Sequence, residues 1–448
     1  MPIVTPNAEA ASRSPVSADL FARARKVMPD GNTRLTIFFP PFPPYAAHAS
    51  GYTVTDADGV QRIDFINNYS SLIHGHCPAP IRKAVGEQIT QLFAVGLPTR
   101  QEVELAELLC ARVASIDHIR FANSGTEAVM LAIKAARAYT GKTKVAKIEG
   151  AFHGSYDPTE VSLASTPGDW GPADHPASVA LCRGTPASTL DDVVVLPHND
   201  IETARRLIRE NDAALAAVIV DPLPSRLSFA AASRDFLAML REETSRQKSL
   251  LVFDEVYSFR LGYGGAQEAL GIRPDLTALG KIIGGGLPVG AIGGSKEAMS
   301  VFASEDGMPR VVHGGTYNAN PMTMAAGLAA MRMLTPDALN RLDGLGERLR
   351  TGMREVVKRL GVPATVRGQG SLASLRFSDK PADDYRAMMT DGADLKLAAR
   401  VHLGLLDEGI LCTSTLLFIL STPMNETVID MLLERLESVL RKQTKAGL

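Results

Sequence analysis

Cysteine and tryptophan are both scarce in this sequence. Its 448 residues include four cysteines and a single tryptophan. The cysteines stand far apart and form no CxxC pair, so neither a zinc nor an iron–sulfur site is expected, and we predict no bound metal. A disulfide framework is not expected in so long a chain, and four reduced thiols are typical of a cytoplasmic protein.

An excess of one charge and long apolar runs are also lacking. Lysine and arginine number 47 against 49 acidic residues, which gives a net charge of −2. No strong electrostatic field therefore attracts nucleic acid or an anionic membrane surface. No stretch of 18 apolar residues appears, so no membrane span is expected. Residues 1–18 have no apolar core, which excludes a secretory signal and predicts a flexible tail.

The length predicts two or three domains. An N-terminal segment, 19–77, holds a helix at 18–28 and a hairpin at 52–66, and we expect it to pack with the small domain. From 78 to 330 helices alternate with short apolar strands, which predicts a large α/β domain with a mostly parallel sheet. Residues 331–448 read as a smaller α+β domain. The strands of the large domain are predicted at 118–122, 144–148, 192–196, 216–220 and 249–253.

A turn at 123–127 follows the first of these strands and precedes a helix. It contains Ser124, Gly125 and Thr126, whose hydroxyls and free N–H groups at a helix start could bind an anion. The alternative is plain N-capping of the helix by Ser124 or Thr126. By itself the turn does not separate these two interpretations.

Asp254 ends the apolar strand at 249–253. Ligands of open α/β sheets bind beyond the carboxyl ends of the strands, and a carboxylate there can hold a ring nitrogen in its protonated form. A strand-end carboxylate that caps the next turn is the alternative.

Lys281 is the single charged residue in a glycine-rich apolar stretch, 277–288. Desolvation lowers the pKa of a lysine and frees its amine as a nucleophile, while glycines let the backbone approach a bulky ligand. The alternative is a lysine whose amine reaches solvent from a loop. Together, the anion-binding turn, Asp254 and Lys281 supply the three groups that pyridoxal 5′-phosphate (PLP) requires.

At these residues the sequence resembles the class III aminotransferases, which have PLP fold type I. Within them it is most similar to the glutamate-1-semialdehyde aminomutase subgroup and to β-amino-acid aminotransferases. The resemblance runs from about residue 20 to the C-terminus. It is strongest at 121–141, 149–154, 253–256, 279–294 and 313–327. It implies PLP as the cofactor and a large domain with a mostly parallel, seven-stranded sheet, beside a smaller α+β domain built from both termini.

The resemblance also implies a role for each site residue. Lys281 would hold PLP as a Schiff base and move the proton, and Asp254 would pair with the ring nitrogen. Val256 would pack behind the ring and Phe152 in front of it, with His153 alongside. Ser124, Gly125 and Thr126 would bind the phosphate. Thr316 would reach the phosphate of the partner subunit, which implies a homodimer with shared active sites. Taken alone, Phe152 could be a core residue and Thr316 a turn hydroxyl.

Arg34 is the candidate for substrate binding. It precedes an aromatic and proline-rich segment, 37–43, as in the β-amino-acid aminotransferases, where a similar arginine binds carboxylate. A guanidinium suits bidentate carboxylate recognition, although an arginine on a surface arm is the alternative. Two departures concern the substrate. Asp221 stands where the family usually has glutamate, and the loop 412–418 carries no charge where relatives often have arginine or glutamate.

These features predict an aminotransferase that moves an amino group from a β-amino acid or a hydrophobic amine to an oxo acid, in a pocket with one arginine and an apolar wall. A glutamate-1-semialdehyde 2,1-aminomutase, or a racemase with the same cofactor, is the alternative enzyme. A protein that binds PLP without catalysis is a third possibility, which the intact pair of Asp254 and Lys281 argues against.

Overall fold

The structure is a computed structural model that describes residues 14–304, 307–380 and 382–445. Fourteen strands occur in these ranges: β1 Ala46–Ser50, β2 Thr53–Asp56, β3 Gln61–Asp64, β4 His118–Ala122, β5 Lys144–Ile148, β6 Val193–Leu196, β7 Leu215–Val220, β8 Leu250–Asp254, β9 Leu276–Gly280, β10 Gly290–Gly294, β11 Thr365–Arg367, β12 Leu372–Arg376, β13 Ile410–Leu411 and β14 Leu417–Ile419.

Fifteen α-helices occur in the same ranges: α1 Pro15–Ala24, α2 Ala79–Ile89, α3 Arg100–Arg112, α4 Gly125–Thr140, α5 Asp157–Glu160, α6 Ala187–Asp191, α7 Ile201–Glu210, α8 Arg234–Gln247, α9 Ala266–Leu270, α10 Lys296–Met299, α11 Pro321–Met333, α12 Pro336–Leu360, α13 Tyr385–Thr390, α14 Leu395–Asp407 and α15 Glu426–Lys445. None of these helices is long and apolar enough to span a bilayer.

The central sheet has seven strands in the order β4-β10-β9-β8-β7-β5-β6. Strand β10 runs antiparallel to both of its neighbours, while the pairs from β9 to β6 are parallel. Successive residues of a strand point to opposite faces, and the buried side chains of β5 accordingly join two different apolar clusters. One cluster contains α4 and the other contains α7 and α8. The predicted mostly parallel sheet with helices on both faces is thereby confirmed.

Two strands of this sheet, β9 and β10, were not among those predicted. They lie on either side of Lys281, in a stretch where Gly280, Gly290 and Gly294 interrupt the apolar pattern. Glycine is unfavourable in strands, so the local sequence indicates a loop. Close packing explains the exception: a Cβ on Gly290 would lie 1.9 Å from the Ser124 carbonyl oxygen. The glycines therefore let β10 lie against the turn that follows β4.

The two smaller sheets join segments that are distant in sequence. The hairpin predicted at 52–66 is present as β2 and β3, and β13 pairs with β3 in parallel. The C-terminal residues after β13 supply a strand of the other small sheet as well. This strand, β14, pairs with β12. Pairing of β3 with β13 agrees with an N-terminal segment that packs on C-terminal residues, and the domain boundaries themselves stay predictions.

The first helix begins earlier than the sequence pattern indicates. It runs over Pro15–Ala24, whereas the prediction was a helix at 18–28 that follows a flexible tail ending at residue 18. The N–H of a first helical residue has no acceptor within the helix, so proline, which lacks this N–H, loses no hydrogen bond at that position. The Asp58 carboxylate accepts hydrogen bonds from the Val16 and Ser17 N–H groups and ties the helix to the β2–β3 turn. The rest of the predicted tail, residues 1–13, lies outside the described residues.

Candidate active site

A cavity of about 360 Å³ lies at the carboxyl edge of the central sheet. Strands β4, β5, β7, β8 and β9 all end at this edge, and the residues that follow each of them line the cavity. Eight of the ten predicted site residues belong to the lining: Arg34, Gly125, Thr126, Phe152, His153, Asp254, Val256 and Lys281. Ser124 and Thr316 do not. Residues far apart in the chain thus meet because parallel strands bring their carboxyl ends together.

Lys281 follows the last residue of β9 and has a left-handed backbone conformation, with φ of 49°. Its Nζ lies 4.7 Å from the centroid of the Tyr257 ring. Burial lowers the pKa of the Lys281 amine, and the nearby carboxyls of Asp254 and Asp221 act in the opposite direction. The structure therefore places an amine with a depressed pKa inside the cavity, as a nucleophile requires.

Asp254 is the last residue of β8, and its carboxylate is held on both oxygens. His153 Nδ1–H donates to Asp254 Oδ2 over 2.8 Å, and the Val256 N–H donates to Oδ1 over 3.0 Å. His153 is itself buried, and its Nε2 has no partner among the described residues. The sequence analysis placed His153 only beside the ring. The structure instead gives it a direct contact with Asp254, which orients that carboxylate.

The turn at the start of α4 contains the three predicted phosphate ligands, Ser124, Gly125 and Thr126, which differ in their contacts. The Ser124 hydroxyl accepts a hydrogen bond from the Glu127 N–H over 3.1 Å and caps the helix, while its contact with phosphate stays a prediction. Gly125 and Thr126 line the cavity with the first turn of this 16-residue helix. A Cβ on Gly125 would lie 2.9 Å from Val256 Cγ1, so only glycine lets the helix start approach this side chain.

Phe152 and Val256 both line the cavity, and their places on the two faces of the ring stay predictions. Val256 is partly buried and packs against the cluster that contains α4. Phe152 is 47% exposed, so it is not a core residue. A large apolar side chain that is exposed in a cavity is available to a ligand.

Asp221 follows β7 and also lines the cavity. Its side chain is buried and its Oδ1 accepts the Leu223 N–H over 2.9 Å. Burial, together with the neighbouring Asp254 carboxylate, raises the pKa of Asp221 well above its usual range. Both effects favour the protonated form of the Asp221 carboxyl.

Thr316 is exposed and lies outside the cavity of its own chain. The loop that carries it is fixed to the helix start through Asn318, whose Oδ1 accepts from Asn123 Nδ2 over 2.8 Å. The Asn318 amide also contacts His313 Nε2 at 2.9 Å. An exposed threonine on an anchored loop is compatible with the predicted contact to a partner subunit, which stays a prediction.

The uncharged loop 412–418 lies away from the cavity. None of its residues lines the cavity. Leu417 instead packs with Leu223 and Tyr257 in a separate apolar cluster. The wall is formed by Leu287, Pro288 and Val289, which follow the Lys281 segment. The sequence predicted an apolar wall and did not indicate which segment forms it.

Four further polar lining residues were not predicted from the sequence: Asn68, Ser71, Ser225 and Tyr257. Asn68 and Ser71 belong to a polar run that follows β3, and such a run after a strand is a signal that could have been used. Tyr257 comes directly after Val256, and its phenol is buried. Arg34 reaches the cavity from the N-terminal arm and donates from Nη1 to Asn68 Oδ1 over 2.9 Å.

The cavity fits PLP in its donor set. Backbone N–H groups at a helix start suit a phosphate. A carboxylate backed by a histidine suits a cationic ring nitrogen, and an amine with a depressed pKa suits an aldehyde. Within the described ranges, no group of three or more His, Cys, Asp or Glu side chains could hold a metal ion.

Comparison with known proteins agrees with this chemistry. The family described as aminotransferase class-III matches residues 40–440. The protein belongs to the class III aminotransferase family. As a class III aminotransferase it is a PLP-dependent enzyme, and the predicted fold and cofactor are confirmed.

Individual relatives of this class III aminotransferase differ in activity. A glutamate-1-semialdehyde 2,1-aminomutase from Akkermansia muciniphila is 38% identical over 401 residues, which cover 88% of this chain and 91% of that protein. The solved structure of an omega-transaminase from Sphaerobacter thermophilus is 49% identical with a TM-score of 0.93, covering 96% of this chain and 99% of that one. A β-phenylalanine aminotransferase from Variovorax paradoxus is 33% identical with a TM-score of 0.87, covering 98% and 96%.

Proposed function

We propose that this enzyme transfers an amino group from a β-amino acid or a hydrophobic amine to an oxo acid, with PLP held by Lys281 as a Schiff base. The observation that carries the proposal is the composition of the cavity. Arg34 is the one arginine among the lining residues that the structure describes, and Leu287, Pro288 and Val289 supply an apolar wall. A donor with an amine, an apolar body and at most one carboxylate matches that arrangement.

PLP, when bound, supplies an aldehyde that takes up amines and a ring that acidifies the neighbouring C–H bond. Lys281 would hold the aldehyde, and Gly125 and Thr126 would hold the phosphate at the start of α4. Because burial lowers its pKa, the Lys281 amine can be neutral and accept a proton from the substrate carbon. The Tyr257 ring beneath Nζ limits where the amine can move.

Asp254 would hold the proton on the ring nitrogen. His153 would orient the Asp254 carboxylate through the 2.8 Å hydrogen bond. Burial raises the pKa of the neighbouring Asp221 carboxyl, which favours its protonated form. Val256 and Phe152 would enclose the ring between apolar surfaces. Enclosure of this kind excludes water and strengthens the electrostatic interaction of Asp254.

The proposal includes a homodimer in which Thr316 contributes to the partner's phosphate site. Its support is the exposed position of Thr316 on a loop that Asn318 ties to the helix start. We also propose a cytoplasmic location, since the four cysteines are free thiols, as in a reducing compartment.

The test is a donor screen with purified holoenzyme, scored by formation of the amino product from pyruvate or 2-oxoglutarate. We expect turnover with 3-amino-3-phenylpropanoate and with arylalkyl amines. Replacement of Arg34 by alanine is expected to raise KM for the carboxylate-bearing donor and to leave the amine unaffected. Conversion of glutamate-1-semialdehyde to 5-aminolevulinate faster than any β-amino acid is transaminated would contradict the proposal.

A glutamate-1-semialdehyde 2,1-aminomutase is the second candidate. The observation in its favour is the 38% identity to the aminomutase of Akkermansia muciniphila. A mutase returns the amino group to its own substrate and needs no acceptor. Turnover of glutamate-1-semialdehyde without any added oxo acid would therefore support this candidate, whereas strict dependence on an acceptor supports the aminotransferase.

A further inference from the structure

We infer that Asn68 is a positioning residue that holds Arg34 in the cavity without neutralising it, and that it thereby sets the preference for donors with a carboxylate. The inference deepens the proposed function and rests on Arg34 as the carboxylate-binding residue. Asn68 is absent from the sequence motifs that identify the family site, and its role follows from contacts of the folded chain.

Arg34 depends on Asn68 for its place in the cavity. Its side chain is exposed and lies on an arm just before a short 3-10 segment, Leu35–Ile37. Nη1 donates to Asn68 Oδ1 over 2.9 Å, and no carboxylate pairs with Arg34 in the described part of the chain. An unpaired arginine side chain loses considerable rotamer entropy when it is held, so a fixed acceptor is needed to keep it at the cavity.

The amide of Asn68 has a fixed orientation. The Ser71 hydroxyl donates its single proton to the backbone carbonyl oxygen of Asn68 over 3.0 Å. Toward the Asn68 side chain this hydroxyl can therefore only accept, and Asn68 Nδ2 donates to it over 2.9 Å. Because Nδ2 is used by Ser71, Oδ1 faces Arg34. A guanidinium has donors only, and this orientation is the one it requires.

The backbone around Asn68 is strained and anchored. Asn67, Asn68, Tyr69 and Ser70 have successive φ values of 46°, 47°, 54° and 75°. Such conformations are unfavourable for residues with a side chain and persist only where neighbouring contacts enforce them. Asn67 provides such contacts, since its Nδ2 donates to the Asp64 carbonyl over 3.0 Å and the Ile419 carbonyl over 2.8 Å.

The same turn holds the arm at a second point. The Tyr69 hydroxyl donates to the Thr36 carbonyl over 2.5 Å, two residues beyond Arg34. The fully buried Arg260 donates to the Ser70 carbonyl over 3.4 Å and fixes the far end of the turn. The arm therefore rests on a rigid turn, and Asn68 is the member of that turn that points a polar group at the guanidinium.

A neutral acceptor is the feature that makes this arrangement useful. Asn68 uses one N–H of the guanidinium and leaves its full positive charge and its other N–H groups for a substrate carboxylate. An aspartate at position 68 has the same size and tolerates the same left-handed backbone. It would form an ion pair with Arg34 and compete with the substrate carboxylate.

The experiment uses holoenzyme with Asn68→Asp, Asn68→Gly and Arg34→Ala. Asn32→Asp is the matched control, because it adds the same charge to the arm outside the cavity lining. The unreactive ligand 3-phenylpropanoate is titrated by calorimetry. KM is then compared for 3-amino-3-phenylpropanoate and 1-phenylethylamine, of which only the first carries a carboxylate.

We expect Asn68→Asp to weaken 3-phenylpropanoate binding and raise KM for the acid by about fivefold, the effect of one exposed ion pair. KM for the amine should stay unchanged, and Asn32→Asp should change neither. Asn68→Gly should weaken acid binding less and increase hydrogen exchange at the amides of Ile37 and Phe38.

Two contrary results have different meanings. If Arg34→Ala removes the preference for the acid while both Asn68 variants keep it, the inference is wrong and the role of Arg34 stands. The inference is equally wrong if Asn68→Asp shifts KM by the same factor for both donors, because that indicates a merely structural effect. If Arg34→Ala leaves the preference for the acid intact, Arg34 is not the carboxylate-binding residue, and the inference about Asn68 fails with it.

Discussion

Replacement of Gly150 by alanine tests how the segment that carries Phe152 and His153 is held in place. Gly150 has a left-handed φ of 72°, and a Cβ at this position would lie 2.1 Å from Tyr385 Cδ2. Tyr385 begins α13, a helix that comes from the C-terminal part of the chain. The added methyl group cannot be accommodated unless the Tyr385 ring moves.

The expected cost has three parts. A left-handed alanine costs about 1 kcal/mol relative to glycine. Displacement of a packed ring costs about 1–3 kcal/mol. The moving ring also loses the hydrogen bond from its hydroxyl to the Ser165 carbonyl, 2.6 Å long, which contributes about 1 kcal/mol. We therefore expect Gly150→Ala to destabilise the docking of α13 by roughly 3–5 kcal/mol.

The single tryptophan is a built-in probe of this contact. Trp170 packs edge-on against Tyr385, with centroids 6.5 Å apart, and the Arg386 guanidinium lies 5.0 Å from the Trp170 ring centroid. Arg386 also forms an ion pair with Glu149, 2.7 Å long. Tryptophan fluorescence during urea titration therefore reports when α13 separates from the segment that follows β5.

Gly141→Ala is the matched control. Gly141 ends α4 with φ of 71°, and an added Cβ there would meet nothing within 4 Å. It should show the backbone cost of about 1 kcal/mol alone. Equal losses of unfolding free energy in Gly150→Ala and Gly141→Ala would refute the steric reasoning. Both positions have a left-handed backbone, and only Gly150 has the Tyr385 ring close by. Gly150→Ala should also weaken PLP binding, since Phe152 and His153 follow within three residues.

Three further predictions concern charged groups. Lys281→Ala should lose the visible absorbance of lysine-bound PLP together with turnover, whereas Lys296→Ala should keep both; normal turnover by the first variant would contradict the assignment. Asp254→Asn should lower kcat by about 100-fold or more at unchanged fold, measured by steady-state kinetics and circular dichroism. Burial lowers the pKa of Lys147 to about 7. The ordinary pKa of a lysine is 10.5, so between pH 7 and pH 10.5 Lys147 is protonated in the unfolded state and largely neutral in the folded state. Because the unfolded state binds more protons in this range, the free energy of unfolding should rise from pH 7 to pH 9. Lys147→Met should flatten that rise in urea titrations, and an unchanged slope would show that Lys147 is not its source.

The sequence alone determined much of the central sheet and the chemistry at its edge. Strands β4 and β5 begin and end where the apolar pattern placed them, and the helix after β4 follows its capping turn. Asp254 was found because it ends an apolar strand, and Lys281 because it is the one charged residue in a glycine-rich apolar stretch. Local pattern suffices for such features, since burial of a strand and the turn after it are encoded by neighbouring residues.

The tertiary structure alone decided which distant residues meet. His153 and Asp254 are 101 residues apart, and their hydrogen bond depends on β5 and β8 ending at one edge of the sheet. Arg34 reaches the cavity through Asn68, and the loop 412–418 packs away from it. Strand β10 contains glycines at 290 and 294 because neighbouring backbone approaches too closely there for a side chain. Contacts of this kind depend on long-range packing, which periodicity within one segment does not contain.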